Sequence, residues 1–376
     1  YNNNYNNLYM IITFSTENIL ESLRNVCNVA ENKQNMPILA NVYLKLSAGI
    51  IFLSATDLEV EVCSEDTFEG TGEIETTMNA RKLYDMVKSL EGKDELSFNF
   101  EDNKTTISSG KSKFVLTAMD ASEFPHMGKS EEADPLKINA DKLLSLFNQT
   151  AFSMATQDAR HYLNGLYLKK EGDSLTAVAT DGHRLAISET KGLDNTGDFT
   201  AIIPRKCILE LKRILAGDKD NKENLVELST TNKQISFKTG RFLVTSRLIE
   251  GNYPEYQKVV PDNLPNLLTI EKAALKHSLQ QMAILSNEQY RGVKLALKNN
   301  ELKLAADQSQ DQAEDYVSCD YSGDELVVGF NVSYLLEAID AMDEDKILMK
   351  LNNSETGCLL TGETNTPQYI IMPMRV

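Results

Sequence analysis

The chain contains no tryptophan and only four histidines, His126, His161, His183 and His277. No two of these stand close enough to form a metal-binding pair, and no HExxH helix occurs, so no metal site is expected. Five cysteines (Cys27, Cys63, Cys207, Cys319 and Cys358) are odd in number, scattered and never spaced as CxxC. That pattern argues against a disulfide framework and for a reducing compartment, the cytoplasm. No apolar run approaches the roughly 18 residues of a membrane span. Glycine-rich phosphate loops and the GxSxG elbow are absent as well, which removes the commonest nucleotide-binding and hydrolase signatures. Positive charge is also scarce: 38 Lys and Arg stand against 55 Asp and Glu, for a net charge of -17. Proteins that grip phosphates are usually basic. An acidic chain can face nucleic acid only by gathering its cations on one surface; otherwise its acidity reads simply as solubility.

What is present is repetition. Leu39-Ala40-Asn41-Val42-Tyr43-Leu44-Lys45 is answered by Leu163-Asn164-Gly165-Leu166-Tyr167-Leu168-Lys169 and again by Tyr290-Arg291-Gly292-Val293-Lys294-Leu295-Ala296. Thr56-Asp57, Thr180-Asp181 and Ala306-Asp307 follow at the same interval. A period of roughly 125 residues is too long for a solenoid repeat and suits a small domain.

Each unit opens with an amphipathic helix. The stripes are Ile19/Leu20/Leu23/Val26/Cys27/Ala30, Leu143/Leu144/Phe147/Ala151 and Ala274/Leu275/Ser278/Leu279/Met282/Ala283. Alternating strands follow, such as Val42/Leu44/Leu46 and Leu58/Val60/Val62. A second helix comes next: Leu83/Met86/Val87/Leu90, Ile208/Leu211/Leu215 and Leu335/Leu336/Ile339/Met342. The expected class is α+β, helices layered on antiparallel sheet. Polar or proline-bearing segments at His126–Pro135 and Lys258–Leu267 mark the joins. The expected domains are 10–133, 134–261 and 262–376, with the Asn/Tyr-rich residues 1–9 set aside as a tag or N-terminal extension.

Cations recur at the second helices, Arg81-Lys82 with Lys88 and Arg205-Lys206 with Lys212-Arg213, and in the third first-helix as Lys272, Lys276 and His277. Acids gather elsewhere, as in Glu65/Asp66/Glu69 and Asp343/Glu344/Asp345. Any one such helix reads as an ordinary solvated face, whereas the recurrence points to a shared cationic face.

Several ordered stretches carry a family resemblance: Ala179-Thr-Asp-Gly-His-Arg-Leu-Ala186, Ile284-Leu-Ser-Asn-Glu288, Gly329-Phe-Asn-Val-Ser-Tyr334 and Met372-Pro-Met-Arg-Val376. Met36-Pro-Ile-Leu39 and Gln157-Asp-Ala-Arg160 add to them. Over Met10 to Val376 the sequence resembles the bacterial sliding clamps, the beta subunits of DNA polymerase III. The resemblance implies three tandem DNA-clamp domains in a head-to-tail homodimer, a ring with helices lining the hole and sheets outside. Its implied function is that of a DNA polymerase processivity factor. Its implied partners are double-stranded DNA read without regard to sequence, the clamp loader complex, and DNA polymerase subunits and repair proteins that carry a short clamp-binding motif. No cofactor is implied.

Three sets of residues follow from the resemblance. DNA contacts fall on Lys33, Gln157, Arg160, His161 and Tyr162; better-known members carry Arg and a pair of Tyr where this chain has Lys33 and His161. A peptide pocket between the second and third domains falls on Leu163, Thr180, Gly182, His183, Arg184, Leu185, Pro254, Lys258, Val259, Asn331, Tyr334, Met372, Pro373, Met374 and Arg375. Arg184 and Arg375 are expected on its polar rim, and its ligand is a short Gln-led segment ending in Leu and Phe. Dimer contacts fall on Phe114 and Leu116 facing Ile284 and Leu285, with Lys111 and Lys113 near Glu314 and Asp315. Without the resemblance, Ile370–Met374 reads as a last core strand, and Phe114 and Leu116 as core of the first domain.

Two rival readings remain open to test. A hydrolase could use Asp181 and His183 as an acid/base pair. Recurrence of the Asp in all three units instead suggests a structural turn. A cytoplasmic peptide-binding scaffold without a DNA role would lack the basic helix starts and the Gln157–Arg160 loop.

Overall fold

The computed structural model describes residues 10–33, 35–68, 72–93, 95–101, 103–128, 134–194, 197–217, 223–287, 290–308 and 311–375. The segment 1–9, Glu69, linker residues 129–133, Glu288 and Val376 lie outside the described residues. The chain divides into two compact units, one running to Ala140 and adding Leu209–Leu248, the other comprising Asp141–Ile208 and the chain from Ile249 onward.

In the first unit a twelve-stranded sheet takes up the strands of the first repeat together with the first strand, Leu136–Asn139, and the last three strands of the second. Its junction is the antiparallel pair Val60–Thr67 with Phe242–Arg247, where Val62 lies opposite Val244. The second unit holds a nine-stranded and a four-stranded sheet. There Arg184–Thr190 of the second repeat pairs with Gln368–Ile371 of the third, Leu185 opposite Ile370. Packing units therefore cut across the repeats. The physical reason is that an edge strand of one repeat has N–H and C=O groups that need partners, and an edge strand of the neighbouring repeat supplies them.

Six helices are described: α1 (Thr16–Val26), α2 (Ala80–Ser89), α3 (Ala140–Thr150), α4 (Arg205–Gly217), α5 (Lys272–Leu285) and α6 (Val332–Asp340). Their apolar stripes are buried at helical spacing: Ile19, Leu20, Leu23 and Val26 in α1, Leu275, Leu279 and Met282 in α5. Each such side chain contributes about 1.5–3 kcal/mol of burial. The α2 and α6 starts are capped by Asn79, whose side chain accepts from Lys82 N–H, and by Asn331, whose side chain accepts from Ser333 and Tyr334 N–H. Two of the first helices stop short of their expected stripes, and the third carries one stripe residue facing outward. Cys27 caps α1 and Ala30 lies beyond it, Ala151 opens a separate 3-10 turn, and Ala274 is exposed on α5. Among the described residues no helix is long and apolar enough to cross a membrane.

The repeated Thr-Asp is a turn in two of the three repeats. Asp57 Oδ1 accepts from the N–H of Glu59 and of Val60, both at 2.8 Å. Asp181 Oδ1 accepts from the N–H of His183 at 2.9 Å and of Arg184 at 3.1 Å. Thr56 and Thr180 close the same loops through their hydroxyls. The residue after the Asp takes a left-handed conformation in both, φ 80° at Leu58 and 90° at Gly182. Glycine meets that demand freely whereas leucine is strained. Leu58 thus belongs to the turn rather than to the strand expected around it. In the third repeat Asp307 is instead part of the strand Glu301–Gln308, opposite Gln312. The expectation of one turn in all three units holds for the first two only.

The segment after the first repeat is pinned by a buried acid. Glu61 accepts from Ser54 Oγ at 2.6 Å and from Met127 N–H at 2.9 Å, and lies 3.1 Å from His126 Nδ1.

Most of the repeated cations have partners within the chain, which changes the shared cationic face expected of them. Arg205 donates to the carbonyls of Ala151 and Met154. Arg213 is held by Glu210 at 2.6 Å and by Asn25. Arg81 pairs with Asp85, Lys276 with Asp340, and Lys272 donates to the Met342 carbonyl. A guanidinium that already satisfies buried carbonyls builds the fold first and contributes only residual positive field.

Candidate functional site

The residues expected to form a peptide pocket all lie in the second unit and fall into a floor, a wall and a tail. Leu163 and Leu185 are both buried, 2% and 3% exposed, and Leu185 is the floor residue of an apolar cluster. Around Leu185 pack Val178, Leu359 and Ile370, with the half-buried Tyr167, Ile187, Tyr253, Tyr256, Val260 and Leu264 against them. Tyr253 stacks on Tyr167 with centroids 4.8 Å apart, and burial pushes its hydroxyl above the usual phenol range. Beyond this wall stand Pro254, Lys258 and Val259; Lys258 is ion-paired with Glu255, and Val259 is 47% exposed.

The tail crosses between two strands. Met372 N–H donates to the His183 carbonyl at 2.9 Å, and Met374 N–H donates to the Gly329 carbonyl at 2.8 Å. The strand reading of Ile370–Met374 is therefore right as far as Ile371, where Gln368–Ile371 ends. From Met372 on, the chain makes single bridging bonds, and the Met372 side chain is 40% exposed. An apolar floor with exposed apolar edges and backbone groups nearby is a surface on which an extended peptide can lie.

Arg184 is not the rim cation expected. Its side chain is 10% exposed. The guanidinium donates to Asp181 Oδ2 at 3.1 Å, to the Phe152 carbonyl at 2.8 Å and to Glu337. It lies 4.4 Å from the Tyr334 ring centroid and 5.3 Å from that of Phe152. Its hydrogen bonds are spent inside the fold, where it holds the turn at residues 180–184 against α6. Arg375 is exposed.

The Asp181–His183 pair is likewise structural. The Asp181 carboxylate accepts two backbone N–H groups and the Arg184 Nε–H, so its oxygens are engaged within the turn. His183 is exposed. Among the described residues no group of three His, Cys, Asp or Glu is placed to hold a metal ion.

The loop from Ala155 to Leu163, which carries Gln157, Arg160, His161 and Tyr162, is tied to itself. Ala155 N–H donates to the Leu163 carbonyl and Leu163 N–H to that of Arg160. Asn164 bridges both backbone groups of Asp158. Gln157 adopts φ 57°, and Arg160 grips Asp158 at 2.8 Å while remaining half exposed. That grip lowers the Asp158 carboxyl to about 2 and raises Arg160. Gly182 lies directly against the Arg160 guanidinium, so this loop and the groove turn share one contact. Lys33 belongs to the first unit, where its ammonium donates to the Asp57 carbonyl at 3.1 Å and lies 3.3 Å from Glu31.

Of the residues expected at a dimer contact, Ile284 is 76% exposed and Leu285 half-buried. Phe114 is half-buried, but Leu116 is only 5% exposed and belongs to the first repeat's own core; the strand turns Val115 outward instead, 53% exposed. Lys111 and Lys113 are exposed, Glu314 already pairs with Lys303 at 2.7 Å, and Asp315 lies opposite Leu304.

Sequence reasoning missed the aromatic wall and Phe152. An aromatic followed by proline stands near each join, Phe124-Pro125 and Tyr253-Pro254, and that recurrence is itself a packing signal.

Family models of the DNA polymerase III beta subunit match the chain three times: its N-terminal domain over residues 10–128, its central domain over 137–255 and its C-terminal domain over 257–375. The beta sliding clamp of Haemophilus influenzae is 36% identical over 370 residues, covering 98% of this chain and all of that protein. The crystal structure of the DNA polymerase III subunit beta from Pseudomonas aeruginosa superposes with a TM-score of 0.91 at 36% identity, covering 98% of this chain and all of that one. A second structure of the Pseudomonas aeruginosa clamp, bound to griselimycin, gives 0.92 at the same identity and coverage. With three successive clamp domains in order and full-length likeness in both sequence and fold, the chain belongs to the DNA polymerase III beta subunit family, the beta sliding clamps.

Proposed function

We propose that this chain works without catalysis, as a homodimeric ring that encircles duplex DNA in the cytoplasm and tethers polymerases to it as a processivity factor. Membership of the sliding-clamp family supports the tether. The groove around Leu185 carries the finer reading: it offers apolar surface at Val259 and Met372, while its one carboxylate–histidine pair is consumed in a turn. That combination suits capture of a short peptide and no bond-breaking chemistry.

Three domains, 10–133, 134–261 and 262–376, would contribute from each of two subunits, closed head to tail through Ile284 and Leu285 against the Phe114 strand. Lys33, Gln157, Arg160, His161 and Tyr162 are the proposed DNA contacts. Few free cations and a charge of -17 favour weak, salt-sensitive attraction over tight grip, which suits a protein that must slide. A clamp loader, polymerase subunits and repair proteins would share the groove.

Retention on DNA tests the topology. After light scattering at several concentrations establishes the dimer, the loaded protein should stay on nicked circular DNA and run off when the circle is linearised. Equal retention on both forms would overturn the ring, and no retention on either would leave the scaffold reading standing in its place.

A further inference from the structure

The third repeat holds a second depression beside the groove. This cleft of about 320 Å³ is lined by Tyr290, Gly292, Lys294, Ala305, Met374 and Arg375. Lys294 pairs directly with Ala305 on neighbouring strands, and the small residues Gly292, Ala305 and Ala306 are part of the lining. Tyr290 stands 59% exposed at this surface. The cleft is continuous with the proposed peptide groove, because Met374 belongs to both and Asn331 Nδ2 reaches the Tyr290 carbonyl at 3.5 Å. Its charge is unusual for so acidic a chain. Lys294 and Arg375 make no ion pair among the described residues, and a single carboxylate, Asp307, lines the cleft with them.

We infer that this cleft takes the segment flanking a bound motif on its Gln-led side, with an apolar residue against Tyr290 and a carboxylate toward Lys294 and Arg375. The inference rests on the groove reading above. If the motif's Leu and Phe lie over Leu163, Leu185, Val259 and Met372, its leading residue points past Met374 toward Tyr290. Partners would then differ in affinity through residues outside the motif, by apolar contact and by charge.

Fluorescence polarisation with three labelled peptides tests this: the bare motif, the motif extended at its leading end by a few residues including Leu and Asp, and the same extension with Asn for Asp. The Asp-bearing extension should tighten binding about fivefold at low salt, the scale of one exposed ion pair plus a partly buried side chain. Lys294→Glu and the Asn peptide should each remove most of that gain, and Tyr290→Ala the remainder. The bare motif should bind the parent and both variants equally, since neither side chain belongs to the groove. An extension that adds nothing, or a gain that survives both substitutions, overturns the cleft assignment. A bare motif that fails to bind the parent chain overturns the groove itself, and the cleft with it.

Discussion

The Arg184 guanidinium lies 4.4 Å from the Tyr334 ring centroid and joins the second repeat's turn to the capped start of α6. Asp181, Glu337 and the Phe152 carbonyl complete its shell. Replacing Arg184 with Ala removes the stacking and leaves a largely buried carboxylate and carbonyl short of donors. A loss of about 2–4 kcal/mol is expected. Lys should rescue little, because an ammonium cannot bridge three acceptors and two rings. Chemical denaturation decides it: an Arg184→Ala protein as stable as the parent would mean the cluster contributes nothing.

The dimer contact can be tested cleanly because Ile284 is exposed in the chain on its own. Truncating Ile284 and Leu285 to Ala should leave the fold intact and give monomers, as buried truncations at an interface cost about 2–5 kcal/mol each. Sedimentation at sub-micromolar concentration is the readout. A double variant that still sediments as a dimer would place the interface elsewhere. Val115→Asp should weaken the same dimer if the Phe114 strand is the partner surface.

Local features were legible in the sequence, and long-range pairings were not. Helical stripes such as Leu275/Leu279/Met282 follow from spacing alone, because burial on a helix repeats with the backbone. The Asp57 and Asp181 turns follow from residue type, since Asx side chains bond their own backbone two or three residues on. Alternation says that Leu185 and Ile370 face inward but not that their strands are neighbours, so sheets shared between repeats stayed hidden. Phe114 and Leu116 illustrate the same limit: period two gives a face, and only the packed sheet decides whether that face meets core or partner. Arg184 resembled a rim cation because its acceptors, at 152, 181 and 337, lie far apart in sequence.

The Ala155–Leu163 loop, proposed to contact DNA, should report its own electrostatics. Asp158 is held near 2 by the Arg160 hydrogen bond, well below an ordinary aspartate. A depressed carboxyl contributes order that is fully present above its unfolded value, about 3.9, and is lost as pH falls toward 2. Side-chain NMR should therefore place the Asp158 midpoint near 2 and move it toward the ordinary range in Arg160→Ala. A midpoint unmoved by that substitution would show the pair to be unimportant.

DNA attraction should be weak and fall steeply with salt, because it depends on a few exposed cations. Gln157→Ala with Arg160→Ala should reduce loading onto circular DNA while leaving secondary structure unchanged, since both side chains are exposed. Binding that survives high salt, or that depends on base sequence, would contradict a sliding mechanism.

The tail carries the most decisive prediction. Deleting Met372 to Val376 removes two backbone hydrogen bonds, to His183 and to Gly329, and the exposed Met372 side chain. Two such bonds are worth about 1 kcal/mol each, too little to unfold a unit whose strand Gln368–Ile371 remains paired on both sides. A motif peptide, by contrast, would lose one edge of its groove. Its two or three apolar side chains contribute roughly 1.5–3 kcal/mol each when buried, offset by the cost of ordering a flexible segment. The parent chain should therefore bind with a dissociation constant on the order of micromolar. The truncated chain should show no measurable binding by fluorescence polarisation, and Met372→Ala an intermediate loss. Sedimentation of the truncated protein should still show the dimer, because Ile284, Leu285 and the Phe114 strand are untouched. Undiminished peptide affinity after truncation would move the binding site away from the tail and from the groove it borders.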